Sequence, residues 1–350
     1  MPLELTSLAE LATLPFDDIV DVRSPSEFAE DHLPGALSLP VLSDAERALV
    51  GTIYVQQERF LARKIGAALV ARNAAAHLEG PLADRDGGWR PLVYCWRGGQ
   101  RSGSFASILQ QVGWRAETVQ GGYRSYRRLV VRALYDTPLP LRLVVVDGGT
   151  GTAKTALLHH LRAQGAQALD LEGLAAHRGS LFGARAGGQP GQKLFESRLA
   201  LALAALDPSA PVFVEAESAK VGERLLPPSL WEAMKSAPRL RLDAPLEARA
   251  RYLVTAYADL LEDVPALLAV LERLVPYHGH AQVQAWQALA REGRFAPLAA
   301  ALVEAHYDPR YLRSAARHKP PLATLGMARL DEADLAATAA RAIEAVRRLG

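Results

Sequence analysis

The chain has 350 residues, which is long for one domain and sufficient for two. Hydrophobic residues make up 49% and charged residues 22% of the chain, a balance typical of globular proteins that excludes general disorder. The net charge of +2 is too small to indicate nucleic-acid binding by itself, and a single cysteine excludes an internal disulfide. No apolar run is long enough to span a membrane, and the N-terminal segment has no basic start before an apolar core. We therefore expect a two-domain cytoplasmic protein.

The first half of the chain alternates apolar runs with helical patterns. The predicted strands lie at residues 18–22, 91–94 and 114–119. The predicted helices begin at residues 24–28, with a proline in the first turn, and span about residues 102–112. This alternation predicts an α/β domain over residues 1–135, with a helical insertion at about residues 45–75.

Cys95 follows the apolar residues 92–94 and opens a segment that we call the cysteine loop, residues 95–102. A buried strand that opens into a glycine-bearing turn leaves backbone N–H groups pointing inward, and such a nest stabilises negative charge. The candidate anion-holding residues are Arg97, Gly98, Gly99, Gln100, Arg101 and Ser102. Positive charge and N–H donors lower the pKa of a thiol, so Cys95 is predicted to be a nucleophile. The alternative is a buried structural cysteine.

A basic cluster follows the third predicted strand, where arginines alternate with two tyrosines. The candidate nucleic-acid-binding residues are Arg124, Arg127, Arg128 and Arg132. Guanidinium groups hold phosphates and aromatic rings stack on bases, so this helix is a predicted nucleic-acid-binding surface. From this segment alone, an ordinary solvated helix face explains the pattern equally well.

These motifs resemble the rhodanese-like family of sulfur transferases. The resemblance rests on residues 21–28, residues 32–36, the cysteine loop and residues 121–123, in that order over about 130 residues. It implies a sulfur- or selenium-carrying Cys95 in a rhodanese-like α/β fold. Five residues separate Cys95 from Arg101, where four are commoner in that family, and five is also the spacing of cysteine phosphatases. A phosphatase therefore remains an alternative.

The second half begins after the prolines at residues 138 and 140, so we place a second domain at residues 136–350. A β-branched run at residues 141–147 predicts a buried parallel strand. A glycine-rich turn and a helix at residues 156–163 follow, which is the arrangement of a phosphate-binding loop. The candidate diphosphate-binding residues form a segment that we call the phosphate loop. They are Gly148, Gly149, Thr150, Gly151, Thr152, Ala153, Lys154 and Thr155. Ala153 stands where this motif usually has its second glycine.

Further elements resemble phosphate-loop proteins of the small-kinase type. They predict an α/β domain similar to phosphate-loop NTPases, with a helical C-terminal part. Thr155 is the candidate Mg²⁺ ligand. Glu215 and Glu217 end the predicted strand at residues 211–218, where either could orient a magnesium-bound water or pair with an arginine. The auxiliary candidates near the predicted strand at 168–171 are Asp170, His177, Arg178 and Ser180.

A rhodanese-like domain followed by this phosphate-loop domain, with the block 170–180 and residues 307–311, resembles the bacterial tRNA 2-selenouridine synthase family over nearly the whole chain. The resemblance implies an enzyme that replaces sulfur by selenium in wobble 2-thiouridine. Its implied co-substrates are selenophosphate and geranyl diphosphate, with an S-geranylated intermediate and no tightly bound cofactor. The implied partners are a tRNA anticodon stem-loop and a selenium-donor protein. Cys95 would carry selenium as a perselenide or attack the base directly.

A geranyl chain requires an apolar slot, and the helical segments 199–206 and 260–274 are candidates, although such stripes are usually core. Two other functions remain open. One is an ATP-dependent kinase or regulatory ATPase with a sulfur-carrying rhodanese module. The other is a non-catalytic tRNA-binding scaffold.

Overall fold

The computed structural model describes residues 2–348. The strands are β1 Asp18–Asp21, β2 Leu37–Ser38, β3 Pro91–Tyr94, β4 Glu117–Thr118, β5 Arg142–Gly148, β6 Gln167–Leu169, β7 Pro211–Glu215, β8 Lys220–Val221, β9 Arg224–Leu225, β10 Arg239–Asp243 and β11 Ala323–Gly326. The helices of the first 210 residues are α1 Pro25–Glu30, α2 Asp44–Gln56, α3 Arg59–Glu79, α4 Gln100–Val112, α5 Tyr123–Val131, α6 Lys154–Ala163, α7 Leu171–Ala175 and α8 Gln192–Ala204.

The later helices are α9 Pro228–Ser236, α10 Leu246–Ala256, α11 Ala258–Leu261, α12 Val264–Glu272, α13 Val275–Arg291, α14 Phe295–Leu302, α15 Asp308–Ala315 and α16 Glu332–Arg347. A 3₁₀ turn at Ala9–Thr13 and π-helical segments at Arg132–Asp136 and Val303–Tyr307 complete the helical structure of the described residues. Within residues 2–348, no helix combines the length and the apolar character needed to cross a membrane.

The chain divides into two compact units. Unit 1 comprises Met1–Pro138 and Pro190–Ala205, and unit 2 comprises Leu139–Gln189 and Leu206–Gly350. The first division follows Pro138, close to the boundary expected after residue 135. Residues 190–205 return to unit 1, whereas the sequence pattern predicted that all of 136–350 belongs to the second domain.

Unit 1 is built around a four-stranded parallel sheet in the order β2-β1-β3-β4. Val20 of β1 pairs with Leu37 of β2 and with Val93 of β3, so the cysteine loop leaves the sheet at its centre. Helices α2 and α3 form the insertion that the sequence predicted at residues 45–75. Serine-glutamate capping boxes start both α1 and α2, which satisfies the N–H groups of each first turn.

Helix α8 is attached to the rest of unit 1 by buried polar groups. The Ser197 hydroxyl donates to Asp31 Oδ2 at 3.0 Å, and Tyr123 Oη donates to the same oxygen at 2.6 Å. Arg127 pairs with Glu196, which also accepts a hydrogen bond from Tyr135. These long-range contacts explain why a segment that follows the phosphate loop in sequence folds with the N-terminal unit.

Unit 2 contains a five-stranded parallel sheet in the order β11-β10-β5-β7-β6. Strand β5 lies at its centre, where residues 143–148 are all buried, as its apolar run predicted. Helices α10–α15 form the helical C-terminal part and enclose an apolar core that includes Leu271, Val283 and Trp286. Because the strands are parallel, their carboxyl ends share one edge, and the loops that follow β5, β6 and β7 meet there.

Candidate functional site

Cys95 lies in unit 1 directly after β3, and its thiol is enclosed by the cysteine loop. The Cys95 residue is 3% exposed. Its Sγ accepts a hydrogen bond from the backbone N–H of Gly99 at 3.3 Å and from the hydroxyl of Ser102 at 3.2 Å. Burial by itself would raise the pKa of this thiol. The hydrogen bonds from Ser102 and Gly99 and the charge of Arg101 outweigh burial and lower the pKa of Cys95.

The cysteine loop is held by a close approach between two glycines. Gly98 has φ +65°, and a Cβ at this position would lie 2.5 Å from the carbonyl oxygen of Val119. Gly122 has φ +58°, and a Cβ there would meet the carbonyl oxygen of Cys95. The N–H of Tyr123 donates to that carbonyl at 2.8 Å. Glycine is therefore required at both positions for the start of α5 to brace the loop.

The two arginines of the cysteine loop differ in their partners. Arg97 is exposed and forms no ion pair within the described part of the chain. Arg101 forms a 2.7 Å ion pair with Glu27 of α1. Burial would raise the pKa of Glu27, but Arg101 and Arg47 lower it to about 2. Gln100 begins α4 and is exposed. The charge of Arg101 is thus already balanced in part, and Arg97 is the cation left for a ligand.

The predicted tRNA-binding arginines divide into two groups. Arg124, Arg128 and Arg132 are exposed and lie four residues apart along one helical face. Arg127 is 18% exposed and pairs with Glu196, and its Nη1 lies 3.7 Å from Asp31. The prediction for Arg127 is wrong in this respect, because its guanidinium is committed to the attachment of α8 and is not displayed on a free surface.

The phosphate loop connects β5 to α6 in unit 2, as the motif predicts. Helix α6 starts at Lys154, whose Nζ donates to the carbonyl of Gly148 at 2.9 Å. Thr152 bonds within the loop, to the carbonyl of Gly149 at 2.8 Å. Ala153 adopts φ +58° and ψ +34°, a left-handed conformation that glycine adopts without strain. Alanine takes this conformation here at a cost of about 1–2 kcal/mol, because its Cβ approaches the following carbonyl oxygen.

An arginine from α10 braces the phosphate loop, although it was not among the predicted site residues. The Nε of Arg249 donates to the carbonyl of Thr150 at 2.8 Å, and its Nη2 lies 2.6 Å from Asp308 of α15. The sequence signal was the general resemblance of this half to small-kinase phosphate-loop proteins, and the spacing between Arg249 and Asp308 does not predict their pairing.

Carboxylates gather where β6 and β7 end, beside the phosphate loop. The hydroxyl of Thr155 donates to Glu172 Oε2 at 2.9 Å, and the N–H of Glu172 donates to Glu215 Oε1 at 2.7 Å. Burial and neighbouring carboxylates raise the pKa of Glu215, and the same causes raise that of Glu217 to about 8. Neither forms an ion pair with an arginine among residues 2–348. Glu172 was not among the predicted site residues, because its contact with Thr155 is the feature that identifies it and this contact forms only in the folded chain.

Asp170 and the residues after α7 shape the rim of this region. Asp170 caps α7 by accepting from the N–H of Gly173 at 2.6 Å. His177 Nδ1 accepts from the N–H of Gly179 at 3.1 Å. Arg178 pairs with Asp259 at 2.6 Å, and the Ser180 hydroxyl lies 2.8 Å from that of Tyr257. Asp170 and His177 thus have structural roles, whereas Arg178 and Ser180 line the cleft described next.

A cleft of about 700 Å³ covers the phosphate loop. Its cationic lining residues are Lys154, Arg178, Arg185 and Arg310, and Glu172 and Glu217 also face it. Arg185, which the sequence analysis did not select, forms no ion pair within residues 2–348, and its Nε is buried without a hydrogen-bond partner. The cleft therefore holds a cation whose bonding capacity an anionic ligand would satisfy.

A second, almost entirely apolar pocket adjoins the cleft. The two cavities share the lining residues Thr150, Ser180, Leu253, Tyr257 and Tyr307. The remaining wall includes Phe182, Leu267, Phe295, Leu298 and Leu302. Of the two segments proposed as an apolar slot, 260–274 contributes Leu260, Leu261 and Leu267 to this pocket. The prediction for 199–206 is wrong, because Leu199 and Leu203 are buried in α8 of unit 1.

Family models match both halves of the chain. A rhodanese-like domain model matches residues 4–129, and a model described as the tRNA 2-selenouridine synthase AAA domain matches residues 141–272. These matches agree with the two sheets, the cysteine loop and the phosphate loop.

Curated relatives carry the name tRNA 2-selenouridine synthase. A tRNA 2-selenouridine synthase of Nitrosomonas europaea is 37% identical over 68% of this chain and 63% of its own length. One of Aeromonas salmonicida is 38% identical over 73% of this chain and 69% of its own length. One of Alcanivorax borkumensis is 38% identical over 68% of this chain and 66% of its own length. The matched region thus spans about two thirds of these relatives. This chain belongs to the tRNA 2-selenouridine synthase family.

Proposed function

We propose that this protein replaces the sulfur of wobble 2-thiouridine in tRNA by selenium, with geranyl diphosphate and selenophosphate as co-substrates. The name of the relatives, tRNA 2-selenouridine synthase, supports the tRNA substrate and the selenium product. The observation that carries the finer chemistry is the apolar pocket, which shares five lining residues with the phosphate-loop cleft. Its volume is about 70 Å³, so its walls would have to move apart to enclose a whole geranyl chain. A diphosphate ester with a hydrocarbon chain matches a cationic cleft joined to an apolar pocket, because each part of the ligand meets a surface of like polarity.

In the first step, the sulfur of 2-thiouridine attacks C1 of geranyl diphosphate in unit 2. The S–C1 bond forms, the C1–O bond breaks, the diphosphate leaves with the electron pair, and the base loses its N3 proton. Lys154 and Arg185 would stabilise the charge that develops on the diphosphate, together with N–H groups at the start of α6. The product is a thioether, which is a better leaving group than the thiocarbonyl sulfur.

A magnesium ion fits the residues around Thr155. Mg²⁺ is usually bound through one or two carboxylates and substrate phosphates, and the Thr155 hydroxyl contacts Glu172 at 2.9 Å beside the phosphate loop. Among residues 2–348, no cluster of three or more His, Cys, Asp or Glu side chains could hold a metal ion by itself. Thr155 and Glu172 would therefore hold Mg²⁺ only with a bound diphosphate, whose charge the ion would neutralise.

In the second step, Cys95 acts on the geranylated base in unit 1. The Cys95 thiolate attacks C2 and expels the geranylthiolate, which takes up a proton. Selenium of selenophosphate then attacks C2 and displaces Cys95, and water cleaves the Se–P bond to release phosphate. This sequence is redox-neutral, whereas a perselenide on Cys95 would need an oxidant to form and a reductant to discharge. Direct attack is therefore the route that we favour. Arg97 and the N–H groups of the cysteine loop would hold the phosphate of selenophosphate.

The test is mass spectrometry of nucleosides from 2-thiouridine tRNA incubated with the protein. Geranyl diphosphate and selenophosphate are supplied separately and together, with Mg²⁺. We expect geranylthiouridine with the first donor alone and selenouridine with both. Cys95→Ser should stop at geranylthiouridine, and Lys154→Ala should lower geranylation at least tenfold while leaving Cys95-dependent conversion of pre-geranylated tRNA intact.

Three outcomes would contradict the proposal. Unmodified tRNA under every condition, with ATP hydrolysis in its absence, would favour the kinase or ATPase alternative. Geranylation at the parental rate by Lys154→Ala would remove the phosphate loop from the first step. Selenouridine formation by Cys95→Ser would remove Cys95 from the second.

A further inference from the structure

Unit 1 has a cavity that the functions above do not use. It measures about 260 Å³ and lies between α2, α3 and the first turns of α4. Its apolar lining residues are Leu42, Val50, Tyr54, Ala62, Gly66, Ala67 and Val70. Its polar lining residues are Arg63, Gln100, Arg101 and Ser104. We call this cavity the insertion recess, because helices α2 and α3 provide most of its wall.

The insertion recess borders the cysteine loop. Gln100 and Arg101 belong to both, and Arg101 lies close enough to Cys95 for its charge to lower the pKa of the thiol. Ser102, between Arg101 and the recess residue Ser104, donates a hydrogen bond to Cys95 Sγ. The recess therefore lies next to any group that is bound at the thiol, with the start of α4 as their shared wall.

The insertion also displays apolar side chains that a solvated helical hairpin would not need. Tyr54 is 45% exposed, Val55 82% and Phe60 67%, and Leu49 is 51% exposed. Isolated exposed apolar residues are common, but these four lie on the two helices that form one cavity beside the cysteine loop. Of these four, Tyr54 lines the recess, so part of the recess wall is an apolar side chain that is open to solvent.

We propose that the insertion recess receives the alkyl chain on the sulfur of S-alkylated 2-thiouridine while Cys95 acts on C2 of that base. This inference rests on the proposed function, because only an S-alkylated base brings a hydrocarbon chain to the cysteine loop. At about 260 Å³ the recess lies just below the usual range of ligand cavities, about 300–1,000 Å³, which fits a hydrocarbon chain better than a complete nucleoside.

Two consequences follow for the second reaction. Burial of the chain holds C2 of the base at the cysteine loop, because Gln100 and Arg101 belong to both the loop and the recess. It also makes the cysteine loop select alkylated over unalkylated tRNA, because plain 2-thiouridine leaves the recess without a ligand. The recess is therefore a specificity-determining site for selenium transfer and has no part in the alkylation.

Ala67 offers a way to fill the recess without disturbing the core, because it is exposed and lies on α3. The variant is Ala67→Phe. Its matched control is Ala68→Phe, the next residue of the same helix, which is also exposed and does not line the recess. The substrates are anticodon stem-loop RNAs that carry synthetic S-geranyl- or S-methyl-2-thiouridine, so that the alkylation step is bypassed. Single-turnover conversion to 2-selenouridine with selenophosphate is measured for both.

We expect the parental protein and Ala68→Phe to convert the geranyl substrate at least tenfold faster than the methyl substrate, and Ala67→Phe to lose most of that preference. Equal slowing of both substrates by Ala67→Phe would overturn the inference, since it would indicate a site for the base itself. An unchanged geranyl preference in Ala67→Phe would also overturn it. If the parental protein converted neither substrate, the proposed function itself would fail, which is a distinct result.

Discussion

Cys95 acquires its reactivity from partners within seven residues of it in the chain. Gly99 and Ser102 donate to its sulfur, and both belong to the turn that the strand-loop-helix pattern predicts. Arg101 was predicted beside Cys95 as well, but its pairing with Glu27 depends on α1 lying against the start of α4. Local spacing therefore predicted the donors to the thiol, and only the packed helices decided which cation remained for a ligand.

Removing the Ser102 hydroxyl should raise the pKa of Cys95. Burial of the thiol would then be opposed by fewer hydrogen bonds, so the thiolate would form only at higher pH. The pH profile of the rate of Cys95 alkylation by iodoacetamide measures this, and its inflection should move upward in Ser102→Ala. Ser104→Ala, an exposed serine of the same helix, is the control. An inflection shared by all three proteins would show that Ser102 does not act on the thiol.

Helix α5 shows how far the sequence of one helix predicts which of its arginines are exposed. Its arginine-rich sequence predicts a basic helix, and three of the four arginines form an exposed row. Arg127 lies one residue before Arg128 but faces Asp31 and Glu196. Helical periodicity places Arg127 beside the buried Tyr123 and Val130, but it does not identify the partner Glu196, which lies 69 residues away in sequence.

Charge reversal of the exposed row should weaken tRNA binding in a salt-dependent way. The triple variant of Arg124, Arg128 and Arg132 to Glu loses up to three phosphate contacts. Its slope of log affinity against log salt should become shallower by about 2–3. Fluorescence anisotropy with a labelled anticodon stem-loop at several salt concentrations measures the slope. The exposed Arg115→Glu should leave it unchanged. An unaltered slope in the triple variant would place the tRNA contact elsewhere.

At the scale of the molecule, one segment folds with a different unit from the residues on either side of it in the sequence. Residues 190–205 follow the phosphate loop in sequence but belong to unit 1. Buried polar groups hold them there, including Asp31, Ser197 and Glu196. Composition and periodicity identify α8 as a helix, and they carry no information about which core it joins.

Asp31→Ala should loosen α8 and leave unit 2 unaffected. The change removes an acceptor shared by Tyr123 and Ser197, which should destabilise unit 1 by about 1–3 kcal/mol. Hydrogen exchange followed by mass spectrometry should show faster exchange in α5 and α8, with α6 unchanged. The exposed Asp136→Ala should behave like the parental protein. If α8 exchanged in step with α6, its assignment to unit 1 would be wrong.

Local sequence patterns were enough to predict the two α/β halves, the strand that precedes Cys95, and the phosphate loop with Lys154. These features depend on neighbours within about ten residues, where strand patterning, glycine positions and helix starts act directly. Packing decided the contact between Glu172 and Thr155 and the burial of Arg185 Nε without a hydrogen-bond partner among residues 2–348. It also decided the bracing of Thr150 by Arg249, the placement of α8 and the apolar pocket beside the cleft. Each of these requires side chains from separate elements to meet, and a meeting of that kind is set by how the strands and helices pack.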